Sequence, residues 1–350
     1  MLAQTGYHAG TSKGNAPMSN RQVRLASRPG GIPQAEHFAI VEVPEPEPDD
    51  GQILVRNRFL SVEPAMRGWV STVANYAQPV GIGEVMRSFA AGDVIESRHP
   101  DFAPGDRVVG MFGWQTHAVV GSAAITRKVT EDDLPLSAAL HVLGLTGLTA
   151  YFGLLDIGQP EEGDTVVVST AAGSVGSFVG QIARTRNCRT VGITGGPEKA
   201  ELCRTRFGYD AAIDYKSTPD LDAALGAAAP RGVNVYFDNT SGRISDVVLR
   251  HLAVGARVVI CGTVSQPTWD PWPTGPRVER HLLVRRARMQ GFVVLDFEHR
   301  FDEAIAQLAH WVRQDRLRYE EEILDGIEQA PDAIARLYRG ENMGKLLVRV

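Results

Sequence analysis

A buried strand that leads directly into a glycine turn and a helix is the feature that most constrains the fold of this chain. The strand reads TVVVS at 165–169, the turn reads AAGSVG at 171–176, and apolar residues at helical spacing follow. The amides at the start of such a helix form an anion site, where Gly173 lets the backbone approach a pyrophosphate and Gly176 lets the helix pack on the strand. Ala171 replaces the first glycine of the Rossmann G-x-G-x-x-G pattern, and glycine turns also serve plain strand-to-helix geometry, so the turn alone leaves both interpretations open.

The next strand, at residues 190–194, bears on the choice of cofactor. An NAD site has an acidic residue at the end of this strand to bind the ribose 2′-hydroxyl, whereas here two glycines follow and then Lys199. A carboxylate would repel a 2′-phosphate, while open glycines and a lysine favour it, so the sequence predicts NADP(H) rather than NAD(H). The alternative is a solvated lysine paired with Glu198 or Glu201.

Further short motifs occur in order along nearly the whole chain. They are VRLASRP at 23–29, LSVEP at 60–64, MRG at 66–68, GEVM at 83–86, LTGLTAYFGLLDIG at 145–158, GGPEK at 195–199, VYFDN at 235–239, QGFVV at 290–294 and GENMGK at 340–345. Together with the AAGSVG turn they resemble the zinc-independent medium-chain dehydrogenase/reductases, and within them the prostaglandin reductases and bacterial curcumin reductases. From these motifs the chain is identified as a member of that family.

The pattern of predicted strands changes along the chain. Residues 22–124 contain short alternating strands broken by prolines, which is an all-β pattern. Residues 319–350 return to strand, helix and strand. Between these parts, a six-stranded parallel sheet is predicted from strands that alternate with helical segments, near 165–169, 190–194, 210–213, 233–237, 256–261 and 289–294.

The predicted fold class is therefore α/β, with a Rossmann domain built on a doubly wound parallel sheet. The resemblance implies a second domain, a GroES-like β-barrel catalytic domain. We expect a flexible N-terminal tail at 1–20, a discontinuous GroES-like domain at 21–138 and 316–350, and a Rossmann NADP-binding domain at 139–315. The active site is expected in the cleft between the two domains.

Composition excludes several other classes. A chain of 350 residues is long enough for two domains, and its net charge of −5 argues against a general nucleic-acid binder. The nearly uncharged stretch 137–155 contains His141 and is flanked by acidic residues, so a buried helix at the domain junction is predicted rather than a membrane span. Three cysteines without paired spacing imply neither a disulfide framework nor an oxidising compartment, and we expect a cytoplasmic protein.

A metal site is not expected. The zinc members of this superfamily need a cysteine, a histidine with a neighbouring glutamate and another soft ligand, and their structural zinc needs four closely spaced cysteines. Here Cys188, Cys203 and Cys261 fit small core residues, and the nine histidines are scattered without ligand spacing. Without a metal to polarise a carbonyl, simple alcohol oxidation is hard to explain.

Reduction of a conjugated enone needs less polarisation of the carbonyl than oxidation of an alcohol does. Hydride from a nicotinamide adds to the β-carbon, negative charge spreads to the carbonyl oxygen, and a proton then reaches the α-carbon. The resemblance implies the same reaction, so we predict zinc-independent, NADPH-dependent reduction of the carbon–carbon double bond of α,β-unsaturated ketones and aldehydes. A quinone reductase is the alternative within this class, and a non-catalytic NADPH-binding sensor is the alternative outside it.

The resemblance also assigns cofactor contacts to individual residues. At the pyrophosphate it implies Ala172, Gly173, Ser174, Val175 and Gly176, and at the adenosine phosphate and ribose it implies Gly196, Lys199 and Tyr215. Further contacts are implied at Asn239, Cys261, Gly262, Thr263, Val264, Ser265, Gln266, Phe292, Val293, Val294 and Asn342. Plain structural roles stay open for three of them, as a strand cap or as turn residues: Tyr215, Asn239 and Asn342.

The substrate side departs from the family pattern at two tyrosines. Ala65 stands in EPAMR where many relatives have tyrosine, and Pro267 stands where some relatives place a tyrosine near the substrate carbonyl. Tyr76 matches a tyrosine that lines the family's pocket, so it is the predicted catalytic hydroxyl, with an ordinary partly buried tyrosine as the alternative. A small or flat enone is therefore expected as the substrate. A homodimer is expected from the resemblance alone.

Overall fold

The computed structural model describes residues 19–73, 76–266 and 271–350, which form three β-sheets with helices packed around them. The first part of the chain contains β1 Ser19–Leu25, β2 Phe38–Pro44, β3 Gln52–Ser61, α1 Met66–Trp69, β4 Ala90–Ser97, β5 Arg107–Gly110, β6 His117–Gly121 and β7 Ile125–Lys128. Strands β1 and β2 form an antiparallel pair, and β3 to β7 belong to a seven-stranded sheet.

The middle of the chain forms a parallel sheet flanked by helices. Its elements are α2 Leu145–Phe152, β8 Thr165–Ser169, α3 Ser174–Thr185, β9 Arg189–Thr194, α4 Pro197–Thr205, β10 Ala211–Asp214, α5 Leu221–Ala228, β11 Val233–Asp238, α6 Gly242–Val248, β12 Leu252–Ile260, α7 Glu279–Arg285, β13 Arg288–Gly291 and α8 Phe301–Arg313. The strand order is β10-β9-β8-β11-β12-β13, and every neighbouring pair is parallel. The predicted doubly wound α/β sheet is confirmed.

Strand β8 is buried on both faces because its alternate side chains enter two different cores. Val166 and Val168 pack in one core with Phe178 and Ile182 of α3, and Val167 enters the core on the opposite face. This double burial fixes the carboxyl end of β8 in the middle of the sheet. The turn into α3 therefore opens at the edge where α/β proteins bind ligands.

The C-terminal residues return to the first sheet. They form β14 Glu321–Asp325, α9 Ala330–Arg339 and β15 Lys345–Arg349. Strand β15 pairs antiparallel with β3 and parallel with β14, so the seven-stranded sheet combines both ends of the chain. This membership supports a discontinuous domain, while the bounds 21–138, 139–315 and 316–350 stay predictions.

The N-terminal end of the described chain corrects one expectation. Ser19 and Asn20, assigned to the flexible tail at 1–20, belong to β1 and pair with β2, whereas residues 1–18 lie outside the described residues. Asn20 is buried because its side chain is bound on both sides: its amide donates to Gln115 Oε1 at 3.1 Å, and its Oδ1 accepts from the His117 amide at 3.0 Å.

The apolar stretch 137–155 is not the single helix that the sequence predicts. It forms a 3-10 helix at Leu136–Leu140, then α2, then one π-helical segment at Gly153–Gly158. The chain approaches its own backbone at the break, since a Cβ on Gly144 would lie 2.4 Å from the Ala139 carbonyl oxygen. Its side chains are buried as expected, and among the helices described none is long and apolar enough to cross a bilayer.

Strand β13 is shorter than the predicted strand near 289–294, because it ends at Gly291. Residues 292 and 293 leave the sheet, and a 3-10 helix follows from Val294 to Arg300. The side chain of Phe292 packs edge-on against Phe297. The apolar run QGFVV is therefore divided between the sheet edge and the wall of a cleft.

Candidate functional site

A cleft of about 1410 Å³ lies between the carboxyl edge of the parallel sheet and the seven-stranded sheet with helix α9. Ligand pockets usually measure roughly 300 to 1,000 Å³, so this cleft has room for a cofactor and a second small molecule. All predicted site residues line it except Gly196 and Gln266. Gly196 instead has a φ of +100° and donates its amide to Asp214, and the Gln266 carbonyl accepts a hydrogen bond from Arg67 at 2.5 Å.

The turn between β8 and α3 faces this cleft. Helix α3 begins at Ser174 after Gly173, whose backbone is extended, and no side chain caps its first amides. A Cβ on Gly173 would lie 2.8 Å from the Thr170 side chain, and one on Gly176 would lie 2.3 Å from the Thr170 carbonyl oxygen. The helix start and the bare glycine backbone thus fit a pyrophosphate.

Gly176 offers a test of this close packing. We expect Gly176→Ala to destabilise the protein by about 1 to 3 kcal/mol, because the added methyl group must displace the backbone of the turn. Gly275→Ala is the matched control, since a Cβ there meets no atom within 4 Å. Urea unfolding measures both variants, and equal stability of the two would contradict the packing argument.

Two lysines and a tyrosine form the part of the cleft beyond β9 and β10. Lys199 Nζ donates to the Gly340 carbonyl at 2.7 Å, and Lys216 and Tyr215 line the same region. Burial, and then the nearby Lys216 ammonium, lower the pKa of Lys199. Two neighbouring cations in a partly desolvated cleft favour an anion between them, so this region fits a 2′-phosphate.

The alternative partners of Lys199 are not used. Over the described ranges, no ion pair joins Lys199 to Glu198 or Glu201, and Glu201 pairs with Arg204 at 2.6 Å. Lys216 is not among the residues predicted from the sequence, although it directly follows Tyr215. A basic residue after the neighbouring strand is the signal that could have revealed it.

Asp214, at the end of β10, is a nearby acid that is not among the residues predicted from the sequence. Its Oδ1 accepts from the amides of Gly196 at 2.6 Å and Lys216 at 3.0 Å, and its Oδ2 accepts from Ser217 Oγ at 2.6 Å. Burial raises the pKa of Asp214, but these hydrogen bonds lower it more, and the net shift is downward. The carboxylate therefore holds the two loops together and does not line the cleft.

The two predicted asparagines both line the cleft and both bind backbone. Asn239 Nδ2 donates to the Ser169 carbonyl at 2.7 Å, and Asn342 Nδ2 donates to the Gly344 carbonyl at 2.8 Å. Both side chains therefore hold the backbone around the cleft, and a role in cofactor binding stays a prediction for each. Asp238, which the sequence analysis missed, orders the loop after β11 by accepting from the amides of Thr240 at 2.9 Å and Ser241 at 2.8 Å.

Tyr76 lies on the substrate side of the cleft with 61% of its surface exposed. Burial of the hydroxyl raises its pKa, and the neighbouring Trp69 acts in the opposite direction. The hydroxyl is therefore protonated at neutral pH and can donate a hydrogen bond. Of the two substituted positions, Ala65 lines the cleft and Pro267 lies outside the described residues.

A further cleft tyrosine, Tyr338, could not be found from the sequence. Its hydroxyl donates to the Pro64 carbonyl at 3.0 Å, and the Arg67 guanidinium lies over its ring at 5.0 Å. Because this hydroxyl already has an acceptor, Tyr338 serves as a wall of the cleft.

The cysteines are held as thiols. Burial raises the pKa of Cys261, which lines the cleft, to about 12, and it raises the pKa of Cys188 to about 11 and of Cys203 to about 12. A thiol with a pKa near 12 is ionised in only about one molecule in ten thousand at pH 8. Cys261 therefore presents a weak nucleophile to any electrophile bound in the cleft.

His141 is fully buried beside the rings of Phe178 and Tyr319, with its Nδ1 3.4 Å from Glu321 Oε1. Burial lowers the pKa of His141 and outweighs the opposing effect of Glu321. The folded protein thus holds this histidine neutral, whereas the unfolded chain protonates it below about pH 6.5.

This burial predicts a pH-dependent stability. Because the unfolded state binds the extra proton, we expect the free energy of unfolding to be constant above about pH 7 and to fall as the pH drops below about 6.5. The variant His141→Gln should show a shallower decline over that range. Urea unfolding between pH 7.5 and 5.5 measures the difference, and identical pH profiles would contradict a neutral buried His141.

Two protein-family profiles match this chain, one in each of the two parts that line the cleft. The family profile described as the N-terminal domain of oxidoreductase matches residues 21–129, and the one described as zinc-binding dehydrogenase matches 174–310. The chain is 40% identical over 342 residues to the NADPH-dependent curcumin reductase of Escherichia coli (strain K12), covering 96% of this chain and 99% of that protein.

Two further relatives agree along nearly the full length. The 2-alkenal reductase (NADP(+)-dependent) of Nicotiana tabacum is 34% identical over 340 residues, covering 95% of this chain and 98% of that protein. The crystal structure of CurA in complex with NADPH from Vibrio vulnificus superimposes with a TM-score of 0.89 at 41% identity, covering 94% of this chain and 99% of that chain.

Proposed function

This chain belongs to the zinc-independent medium-chain dehydrogenase/reductase family, and from that premise we propose that it is an NADPH-dependent reductase of the carbon–carbon double bond of α,β-unsaturated ketones and aldehydes. One observation carries the proposal: a single cleft contains both a nucleotide side and a substrate side. The start of α3 and the two lysines line the first, and an apolar wall with the Tyr76 hydroxyl lines the second. The relatives named as curcumin and 2-alkenal reductases support it.

The nucleotide side of the cleft binds and orients NADPH in this proposal. The amides at the start of α3 would hold the pyrophosphate, and Lys199, Lys216 and Tyr215 would bind the 2′-phosphate and ribose. Residues 261–265 and 292–294 line the cleft and would lie beside the nicotinamide. NADPH supplies the hydride when bound, so the chain's own groups need to position the substrate and manage one proton.

The substrate side has to stabilise the charge that develops on the carbonyl oxygen. The Tyr76 hydroxyl is the proposed donor, either to that oxygen or, as a proton source, to the α-carbon. The apolar walls formed by Trp69 and Phe292 hold the flat conjugated system and exclude water. Burial raises the pKa of Cys261 to about 12, which would slow alkylation of its thiol by an electrophilic substrate.

A substrate panel tests this function against its alternatives. Purified protein is supplied with NADPH and with enones, quinones or alcohols, and NADPH consumption is followed. Rapid consumption with enones supports the proposal, and consumption with quinones alone would assign a quinone reductase. NADPH binding without turnover of any compound would assign a sensor.

Metal independence follows from the proposed reaction. One matching profile is described as a zinc-binding dehydrogenase, yet within the described parts of the chain no three His, Cys, Asp or Glu side chains are grouped to hold a metal ion. We expect purified protein to contain no stoichiometric zinc and to keep its full rate in chelator. One zinc per chain, with activity lost on its removal, would overturn the mechanism.

We also propose that the protein is a homodimer. Strand β13 is an edge strand of the described sheet, and next to it α7 exposes Leu283 at 77% and Val284 at 50%. Exposed edges with adjacent apolar residues favour association with another strand. Light scattering on Leu283→Asp and the parent tests the idea, and a parent that runs as a monomer would refute it.

A cytoplasmic location fits the three free cysteines.

A further inference from the structure

The charge balance of the cleft is strongly basic. Among its described lining residues Glu63 carries the single carboxylate, and Glu63 Oε1 already accepts from Lys345 Nζ at 3.3 Å and Ser61 Oγ at 2.9 Å. The basic side chains that line the cleft are Arg28, Arg67, Arg87, Lys199, Lys216, Arg243 and Lys345. The proposed 2′-phosphate site uses the lysines beyond β9 and β10, whereas Arg28, Arg67 and Arg87 lie on the opposite wall.

Two of these arginines lie together on the substrate wall. Arg28 Nη1 donates to the Val70 carbonyl at 2.9 Å, and Arg87 Nη1 donates to the Gln78 carbonyl at 2.7 Å while its guanidinium lies over the Trp69 ring at 6.0 Å. The amide of Val80 donates to the Trp69 carbonyl at 2.8 Å, which brings the two acceptor segments side by side. All of these partners belong to the antiparallel half of the molecule.

Neither arginine has an acidic partner in the described structure. Both are half-buried, yet no carboxylate lies within 4.0 Å of either guanidinium over residues 19–73, 76–266 and 271–350. Within the same ranges each guanidinium donates to a single backbone carbonyl, so further donors of each can face a ligand. A partly desolvated guanidinium without a counter-ion favours an anion, and a carboxylate matches its paired donors.

We propose that Arg28 and Arg87 bind a carboxylate at the end of the substrate remote from its double bond, so that the preferred substrates are enones carrying an acid group. This inference rests on the proposed function. Tyr76 lies on the same wall, because its hydroxyl neighbours the Trp69 side chain over which Arg87 lies. A substrate held by its carbonyl at Tyr76 can therefore extend its acid group toward the two arginines.

The test compares alkyl enones ending in a carboxylate with their methyl esters, over a series of chain lengths. For the parent enzyme we expect kcat/KM to favour the acid by about tenfold or more at the best length. The KM of the acid should rise with ionic strength while that of the ester stays constant. Equal kcat/KM for acid and ester at every length would overturn the inference, and the proposed enone reduction would still stand.

Variants locate the effect. Arg28→Gln and Arg87→Gln should each reduce the preference for the acid by raising its KM, without changing kcat/KM for the ester, and Arg28→Lys should restore part of it. Arg231→Gln is the matched control, because Arg231 also donates to one backbone carbonyl, that of Gly163, and lies away from the cleft. Thermal unfolding checks that each variant folds.

Two outcomes distinguish the carboxylate site from cofactor binding and from the proposed enone reduction. Weaker NADPH binding in the Arg28 and Arg87 variants would assign the arginines to the cofactor phosphates and refute the substrate role. If no enone is reduced, the proposed function fails, and calorimetric binding of the acid and the ester to the NADP⁺ complex still decides whether the arginines select a carboxylate.

Discussion

Replacing Lys199 with alanine should raise the KM for NADPH by roughly ten- to a hundredfold while leaving the KM for NADH nearly unchanged. The lost charge-assisted contact with a 2′-phosphate is worth about 1.5 to 3 kcal/mol. The parent enzyme should accordingly prefer NADPH strongly, since Gly195 and Gly196 follow β9 where an NAD site carries an acid. Steady-state kinetics with both cofactors measures the ratio.

Lys199 also donates to the Gly340 carbonyl, so its loss could act on the cleft itself. The NADH measurement separates the two effects, because a distorted cleft would weaken both cofactors. Lys128→Ala, which removes a lysine paired with Asp106 away from the cleft, is the control for a general loss of charge. Equal use of NADPH and NADH by the parent would contradict the assignment of Lys199.

Replacing Tyr76 with phenylalanine should lower kcat for enone reduction by about a hundredfold at saturating NADPH, with little change in NADPH affinity. A positioned donor contributes on the order of a hundredfold or more. The raised pKa of Tyr76 keeps the hydroxyl protonated throughout the neutral range, so the loss should be independent of pH between 6 and 9.

Tyr338→Phe is the matched comparison for this prediction. Both tyrosines line the cleft. The Tyr338 hydroxyl donates to the Pro64 carbonyl of the cleft wall, so its removal should change kcat only slightly. An unchanged rate in Tyr76→Phe across several enones would leave Tyr76 as a packing residue. Solvent would then be the proton source for the α-carbon.

The parallel sheet could be predicted from the sequence because its strands are short apolar runs separated by helical periods. Strand β8 matches its prediction residue for residue, since a run of valines between polar ends has few alternatives. The broken helix at 137–155 could not be predicted, because periodicity does not distinguish one buried helix from several pieces. Backbone contacts decide it, such as the 1.9 Å that a Cβ on Gly147 would leave to the Val142 carbonyl oxygen.

The site, too, could be predicted only in part. The pyrophosphate turn is formed by consecutive residues, so its glycines predict it directly. The contacts of Lys199 with Gly340 and of Arg28 with Val70 join distant segments, and only the fold brings them together. Asp214 was missed for a related reason, because whether an acid faces a ribose or its own loop depends on hydrogen bonds that spacing does not reveal.

The position of the transferred hydrogen tests the central claim most directly. The enzyme is given an enone and NADPH deuterated at the transferable position of the nicotinamide, and the product is examined by NMR. We predict a saturated ketone with deuterium on the former β-carbon and a solvent proton on the α-carbon. Deuterium on the carbonyl carbon, in an allylic alcohol whose double bond is intact, would contradict the account.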